Sequence, residues 1–571
     1  MSYLKIIKKT YRTFFVSTSI ATMGLAVTSL LNTIIAGIAF GSNGSYVVGL
    51  ALPIMLFADI ITYFFGVGGG IAASIRLGKG EKQQANEILT FSVFSIVVLG
   101  LIVAVIGKLF TVQLLPILGA QTAEQQEIVQ DYVSILLIGT PGILVSKVLN
   151  IFIRNDGHPK VAMAGVILAV VANFALLGIL IGLLHYSVAA IAVATVVSNL
   201  FSALFYLGFY FAKKSTIRIQ KSIRFGSIKD IFKPGFSGSM IFFAQMILTV
   251  YINQILLRVS GSDGIAAYGV VKCIVSFIYA YYDSVNLAAQ PMLSVYHGEH
   301  DGDSIRLTSK VSSIYLAIGV AVLCVTLWFT APLFSQLYNI NITEALRFIG
   351  ISSLFSCVVT FLNNSYRATG KANLTLLYII LDNLVLPAVI VTVLVFGFHM
   401  DDTGVWTALL AADALTLAIM LVAMHKNILQ IPKDEVPKEK KYFALISNHE
   451  ADIVALNSGI ESFCEQNDID MKKQYYIMLC IEEIAVNIIE HGFQDGKEHY
   501  IDIRIIAGDR LLLNIRDDAT AYDPTAQKDA DITASAEEFD TDGLGIFLVK
   551  KVAKEFSYRR VIGFNNLHIV L

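Results

Sequence analysis

Four carboxylates stand inside long apolar runs of this chain, where a charge needs a reason: Asp59, Asp283, Asp382 and Asp413. A charge near the centre of a bilayer costs about 2.5–3.5 kcal/mol on insertion scales, so each should face a cavity or a partner. Asp382 is the best placed to exchange a proton or hold a coupling ion, because it lies well inside its run beside Asn383, away from water. Asp59 and Asp283 rank below it, and Asp413, among Ala and Leu, could equally make a local packing bond. Lys147 and Lys272 lie about 10 Å from a helix end at 1.5 Å per residue. Either could snorkel to the interface; one that faces a cavity instead favours an anionic or zwitterionic substrate, or pairs with an acid.

A second constellation lies near the C-terminus. Glu483, Asn487 and His491 follow one another at i, i+4 spacing, which on an α-helix sets a carboxylate, an amide and an imidazole on one face. Asn is a neutral oxygen ligand for Mg2+, and a Glu one turn earlier can orient or deprotonate a nucleophile. The same spacing also arises on any amphipathic helix. Further on, Asp517 ends a strand-like run, and Thr541-Asp-Gly543-Leu-Gly545 opens a helical one, where glycine amides and the helix N-terminus can receive phosphate.

Two kinds of element must position these groups. Of 571 residues, 55% are hydrophobic and 15% charged, with a mean hydropathy of +0.67; soluble domains are about one-quarter charged, so this is a membrane protein. Twelve apolar runs, from 14–40 to 403–426, are long enough to cross a bilayer. Residues 1–432 carry 26 basic and 18 acidic side chains, and residues 433–571 carry 16 and 26. A basic membrane body followed by one acidic water-soluble domain is therefore expected, with no case for a nucleic-acid partner. Basic residues gather at alternate connections (Lys5, Lys8, Lys9 and Arg12; Arg76, Lys79 and Lys82; Arg154 and Lys160), while connections such as 41–45 hold almost none. The positive-inside rule then places both termini in the cytoplasm of a multi-pass plasma-membrane protein.

An internal repeat sharpens this. LGKGEKQQAN after the second run is echoed by YHGEHDGDSI after the eighth, and Arg154-Asn-Asp-Gly157 by Arg367-Ala-Thr-Gly370. The predicted fold is an α-helical polytopic membrane protein of twelve helices in two parallel six-helix repeats, 1–220 and 221–429. A charged, proline-containing linker at 430–441 leads to a domain over 442–571, read as an α+β sandwich from helices near 450–465 and 471–493 and strand-like runs at 500–507 and 511–517. The glycines Gly66, Gly68, Gly69 and Gly70 fall in mid-membrane without a following Lys-Ser/Thr, which points to close helix packing and excludes an ABC-type pump. The five cysteines form no C-x-x-C pair, so neither a disulfide framework nor a zinc site is indicated.

The LGKGEKQQAN loop, FIRNDGHPKVAMA at 152–164 and AAQPMLSVYHGEHDG at 288–302 resemble the multidrug and toxic compound extrusion (MATE) family over roughly residues 10–428. The resemblance implies two helical bundles around a cavity, and secondary antiport of organic cations or other amphiphiles against protons or Na+. Two positions depart from it. No acid follows Asn32 in the first helix, and Leu177 stands where an N-x-x-x-D pattern in the fifth would supply one, which puts coupling through the N-terminal half in doubt.

The tail is similar to the GHKL-type ATPases, particularly the subgroup like anti-sigma factor serine kinases. That resemblance implies an ATP and Mg2+ site with Asn487 as metal ligand, Glu483 as general base, His491 beside them, Asp517 reading adenine, Gly543 and Gly545 in the phosphate loop, and 524–541 as a lid. The family's D-x-G becomes Asp517-Asp-Ala519 here, and the extra methyl is expected to crowd adenine or distort the turn. Together the two resemblances imply an antiporter regulated by a cytoplasmic ATP-binding domain, which acts on the transporter or recruits a soluble regulatory protein. The alternatives are a membrane sensor with serine-kinase output to a partner-switching protein, and a flippase for a lipid-linked substrate.

Overall fold

The computed structural model describes every residue except 1–2, 119–122, 213–214, 300, 339, 426–436, 450, 494–498, 509 and 527–543. The chain divides into two compact units, Tyr11–Ile431, and Pro432–Leu571 with Met1–Thr10.

Apolar length builds the first unit. Among the described residues eleven helices are long and apolar enough to cross a membrane: α1 (Ile6–Phe40), α2 (Ile54–Gly78), α3 (Lys82–Leu109), α4 (Val129–Asn155), α5 (Pro159–Leu183), α6 (Ala189–Phe211), α7 (Phe225–Leu256), α9 (Gly302–Gln336), α10 (Thr343–Ala368), α11 (Ala372–Gly397) and α12 (Thr403–Met424). Between α7 and α9, the 38-residue α8 (Gly261–Gly298) is also long enough to cross and carries Lys272 and Asp283. The twelve-helix expectation therefore holds.

The repeat is visible in the turns. Gly157 and Gly370 both take positive φ, 87° and 80°, and each donates its N–H back to the carbonyl of the arginine three residues earlier, Arg154 at 3.1 Å and Arg367 at 3.3 Å. Only glycine adopts that conformation without strain, so the same residue ends the fourth and tenth helices. Glycine also sets how closely the halves approach. A Cβ on Gly78 would lie 2.9 Å from the Cα of Gly298, and a Cβ on Gly298 equally close to the Cα of Gly78. Nearby, Arg76 of α2 donates to Asp230 of α7 at 2.8 Å. A Cβ on Gly68 would meet the backbone of Gly235, and one on Gly70 the side chain of Asn155, as close helix packing requires.

Three membrane helices loosen into π-turns: Tyr63–Val67 in α2, Gly178–Leu183 in α5, and Leu381–Val385 and Val393–Gly397 in α11. In α11 the cause is legible: Pro387 has no N–H to return to the carbonyl four residues back, and the ladder widens just ahead of it.

The second unit pairs an antiparallel sheet, in the order β1-β2-β3-β5-β4, with three helices. Its strands are β1 (Lys441–Ser447), β2 (Tyr500–Ala507), β3 (Leu511–Asp517), β4 (Glu555–Val561) and β5 (Phe564–Val570). The helices are α13 (Ala451–Gln466), α14 (Met471–Asn487) and α15 (Leu544–Val552). Ile501, Ile503 and Ile505 alternate along β2 and, with Leu513 and Ile515 of β3, bury against Ile477, Ile481 and Ile484 of α14. Period two on the strand meets the helical stripe, giving one core. Asp470 caps α14 by accepting from the Lys473 N–H at 2.8 Å.

Candidate functional site

In the membrane unit, α7, α8, α10, α11 and α12 enclose a cavity of about 330 Å3, with Tyr63 of α2 reaching it from the other half. Four of the six intramembrane charges singled out in the sequence line it: Lys272, Asp283, Asp382 and Asp413. The other two meet each other, Lys147 donating to Asp59 at 2.5 Å. Neither lysine is therefore a snorkelling residue. One is paired, and the other faces the cavity with its ammonium 5.6 Å from the ring centre of Tyr268.

Asp382 sits in the π-turn of α11 and is buried, 7% exposed. Asn383 donates to its Oδ2 at 3.2 Å, while its Oδ1 has no donor among the described residues. Asp413 of α12 is its carboxyl neighbour, within hydrogen-bonding reach. Asp413 also accepts from the Ser352 hydroxyl and lies within electrostatic range of Lys272. The local packing bond expected of Asp413 is thus present, but as part of a two-carboxylate centre that the sequence did not reveal. The apolar wall includes Trp406, stacked on Tyr268 with centroids 5.9 Å apart. In the other half Leu177 is 3% exposed, packed in a wholly apolar cluster.

In the second unit, Asp517 ends β3 and is 1% exposed. Its Oδ1 accepts from the Ala519 N–H at 2.9 Å and from Asn565 Nδ2 at 2.7 Å. Arg560 holds this arrangement, donating from Nη1 to Asn565 Oδ1 at 2.6 Å and to the Ala519 carbonyl at 2.8 Å. Burial raises the Asp517 carboxyl to about 6, against the opposing hydrogen bonds from Ala519 and Asn565. Sequence reasoning missed Asn565 and Arg560; the available signal was the strand register, which sets Asn565 opposite Asp517.

Ala519 does not distort its turn. Its φ is not positive, and its methyl packs where Gly492 leaves room, since a Cβ on Gly492 would lie 2.8 Å from it. Glu483 presses against Gly545 at the start of α15, where a Cβ would overlap its carboxylate. Burial first, and the neighbouring Glu482 second, push the Glu483 carboxyl above its usual range. Asn487 is the last α-helical residue before a π-turn over Ile488–Gly492. This corrects the expected single face: the wider turn breaks the i, i+4 register, and the His491 side chain is 74% exposed, its Nε2 3.7 Å from Glu490. Gly543 and most of the 524–541 segment lie outside the described residues; Pro524–Ala526 forms a short 3-10 turn. No group of three or more His, Cys, Asp or Glu that could hold a metal occurs among the described residues.

The model of the MatE family matches residues 17–179 and 237–393, more than half of the chain. The chain belongs to the MATE family. Residues 446–571 match a histidine kinase-like ATPase domain, so the MATE body carries a C-terminal ATPase domain. The MATE body is similar to the multidrug export protein MepA of Staphylococcus haemolyticus (strain JCSC1435), 28% identical over 412 residues that cover 69% of this chain and 89% of that protein. MepA of Staphylococcus aureus (strain NCTC 8325 / PS 47) is 26% identical over 420 residues, covering 71% and 90%. Among solved structures, MATE in complex with MaD3S superposes with a TM-score of 0.70 at 20% identity, covering 74% of this chain and 96% of that one. The MOP superfamily transporter from Pyrococcus furiosus described as having a reversed-polarity binding pocket gives 0.69 at 20%, covering 74% and 96%. These structural likenesses bear on the fold.

Proposed function

We propose that this MATE-family chain is a secondary antiporter that exports aromatic organic cations or other small amphiphiles in exchange for protons, with its ATPase domain as a nucleotide-dependent regulator. The observation that carries the proposal is the Asp382–Asp413 pair in an aromatic-walled cavity, in a chain whose other half lacks the family's acids. One proton shared between two facing carboxyls leaves a single negative charge; when it departs, the pair holds two, and a cation must take its place. Proton and cationic substrate then compete for one centre, which is the requirement for exchange. Lys272 beside Asp413 offsets part of the charge and keeps the empty cavity tolerable. The relatives named for multidrug export support this substrate class, and a cavity of about 330 Å3 with aromatic walls suits a small amphiphile better than a lipid-linked one. Charge on alternate connections supports a plasma-membrane protein with cytoplasmic termini.

In the ATPase domain, Asp517, held by Asn565 and Arg560, would read adenine; Gly545 and Gly543 would receive phosphate; Asn487 would hold Mg2+ with His491 nearby. The snug fit of Ala519 against Gly492 removes the conformational objection to nucleotide binding. Bound ATP supplies phosphate charge and binding energy; a preference of about 1.4 kcal/mol for one transporter conformation shifts the ratio tenfold. A second reading is favoured by Glu483, whose carboxylate lies at the head of α15: it would serve as general base in serine-kinase output to a soluble regulatory protein.

The test is dye transport by the full chain in proteoliposomes under an imposed pH gradient or an imposed Na+ gradient, with and without Mg-ATP. Transport driven by the pH gradient and altered by ATP supports the proposal. Transport driven by Na+ alone contradicts the coupling, and indifference to ATP shifts weight to the kinase reading.

A further inference from the structure

The arginines at equivalent places in the two repeats, Arg154 and Arg367, take no part in the carboxylate pair, yet both lie inside the helical bundle. Arg154, at the end of α4, is 4% exposed, and its Nε and Nη2 have no hydrogen-bond partner among the described residues. Arg367, at the end of α10, lines the cavity and donates from Nη2 to Asn364 Oδ1 at 3.1 Å, but its Nε is unpartnered. Between them stands Tyr63, within electrostatic range of both guanidinium groups and of Asp283. Asn286 of α8, 4% exposed, lines the same region with both side-chain polar atoms unpartnered. Gln290, one turn on and fully buried, is in the same condition.

Charge and donors are thus in surplus around Tyr63, with the guanidinium groups of Arg367, on the cavity wall, and Arg154 against Asp283, since Asp59 there is already paired with Lys147. The balance reverses at the carboxylate pair, with Asp382 and Asp413 against Lys272. Buried donors persist in a fold when something accepts from them, and a guanidinium is shaped for the paired oxygens of an oxyanion. We propose that Arg367, supported by Arg154 and Asn286, forms a subsite for the carboxylate of an amphoteric aromatic substrate. Its cationic end then meets Asp382 and Asp413, and its ring lies against Tyr268 and Trp406. This rests on the antiporter reading and narrows its substrate class from cations at large to molecules that carry both charges. It also gives the repeat a purpose: the arginine of one half lines the cavity, and that of the other adds its charge through the same Tyr63 neighbourhood.

Rhodamine 110 and rhodamine 123 share one cationic ring system and differ in a free carboxylate against its methyl ester. Binding of each dye to the purified full-length protein, read by fluorescence anisotropy at low salt, gives an affinity ratio that partial misfolding cannot change. Wild type should favour the carboxylate dye by about tenfold or more. Arg367→Gln and Arg154→Gln should each bring the ratio near one, Arg367→Lys should restore part of it, and inorganic phosphate should compete with the carboxylate dye. Equal affinities in wild type, or a ratio unmoved by Arg367→Gln, overturn the proposal. So does phosphate binding that needs Arg367 yet fails to displace the dye, which would assign the arginines to a free inorganic anion. Export of rhodamine 123 reports the antiporter itself; its absence with the binding preference intact would contradict that reading and leave the subsite standing.

Discussion

At the scale of single residues, Asp517 links a structural network to a pH dependence. Its carboxyl, raised by burial to about 6, is ionised above that pH, and only the ionised form accepts two donors without offering one. ATP affinity of the full chain should therefore fall as pH drops through about 6, and Asp517→Asn should be weak at every pH; calorimetric titration across pH 5–8 checks this. The sign for stability is opposite. A carboxyl whose folded value is raised binds more protons folded than unfolded, so between about pH 4 and 6 its contribution to stability is lost as pH rises. Ala519 gives a second expectation. Replacing it by Gly removes a methyl packed on Gly492 and frees the unfolded backbone, costing the domain about 1–2 kcal/mol with little change in ATP affinity. Urea-dependent proteolysis of the C-terminal domain would show it. Neither contact was readable in sequence, because each depends on a strand or turn approaching from far along the chain: Asn565 across β5, Gly492 from the end of α14.

Among the elements, the crossing of α2 and α8 at Gly78 and Gly298 is the tightest contact between the two repeats at the ends of their helices. Two backbones approach there with no side chain between them, and Arg76 ties α2 to Asp230 beside it. Gly298→Leu should hold this end apart and abolish transport while the protein still inserts. The check is labelling of a cysteine placed at Ile75, which should rise severalfold over the Gly298 parent, whereas unchanged labelling with full transport would show the crossing to be passive. Much at this scale was legible. The strand-like run at 500–507 became β2, and the paired Arg-x-x-Gly turns marked the repeat. The π-turns were not, since a helical pattern of 3.6 residues persists through them in sequence and only hydrogen bonding tells them apart. That is why Glu483, Asn487 and His491 read as one face, and why His491 departs from it.

For the whole molecule, the lesson is where the charges went. Sequence placed six of them in the membrane but could not say which would meet, because pairing is decided between helices: Asp59 meets Lys147, 88 residues on, and Asp382 meets Asp413 on the next helix. Folding neutralises Asp59 with Lys147 and gathers the other four in one cavity in the C-terminal half. The MATE body thus keeps the family's architecture, and in the proposed mechanism Asp382 and Asp413 are its exchange centre. The most direct test is proton release on substrate binding. Purified full-length protein in weakly buffered solution is mixed with rhodamine 123, and a pH indicator follows the medium. The account predicts release of about one proton per dye bound in wild type and none from Asp382→Asn. Dye binding without proton release, or the same release from the variant, would contradict it.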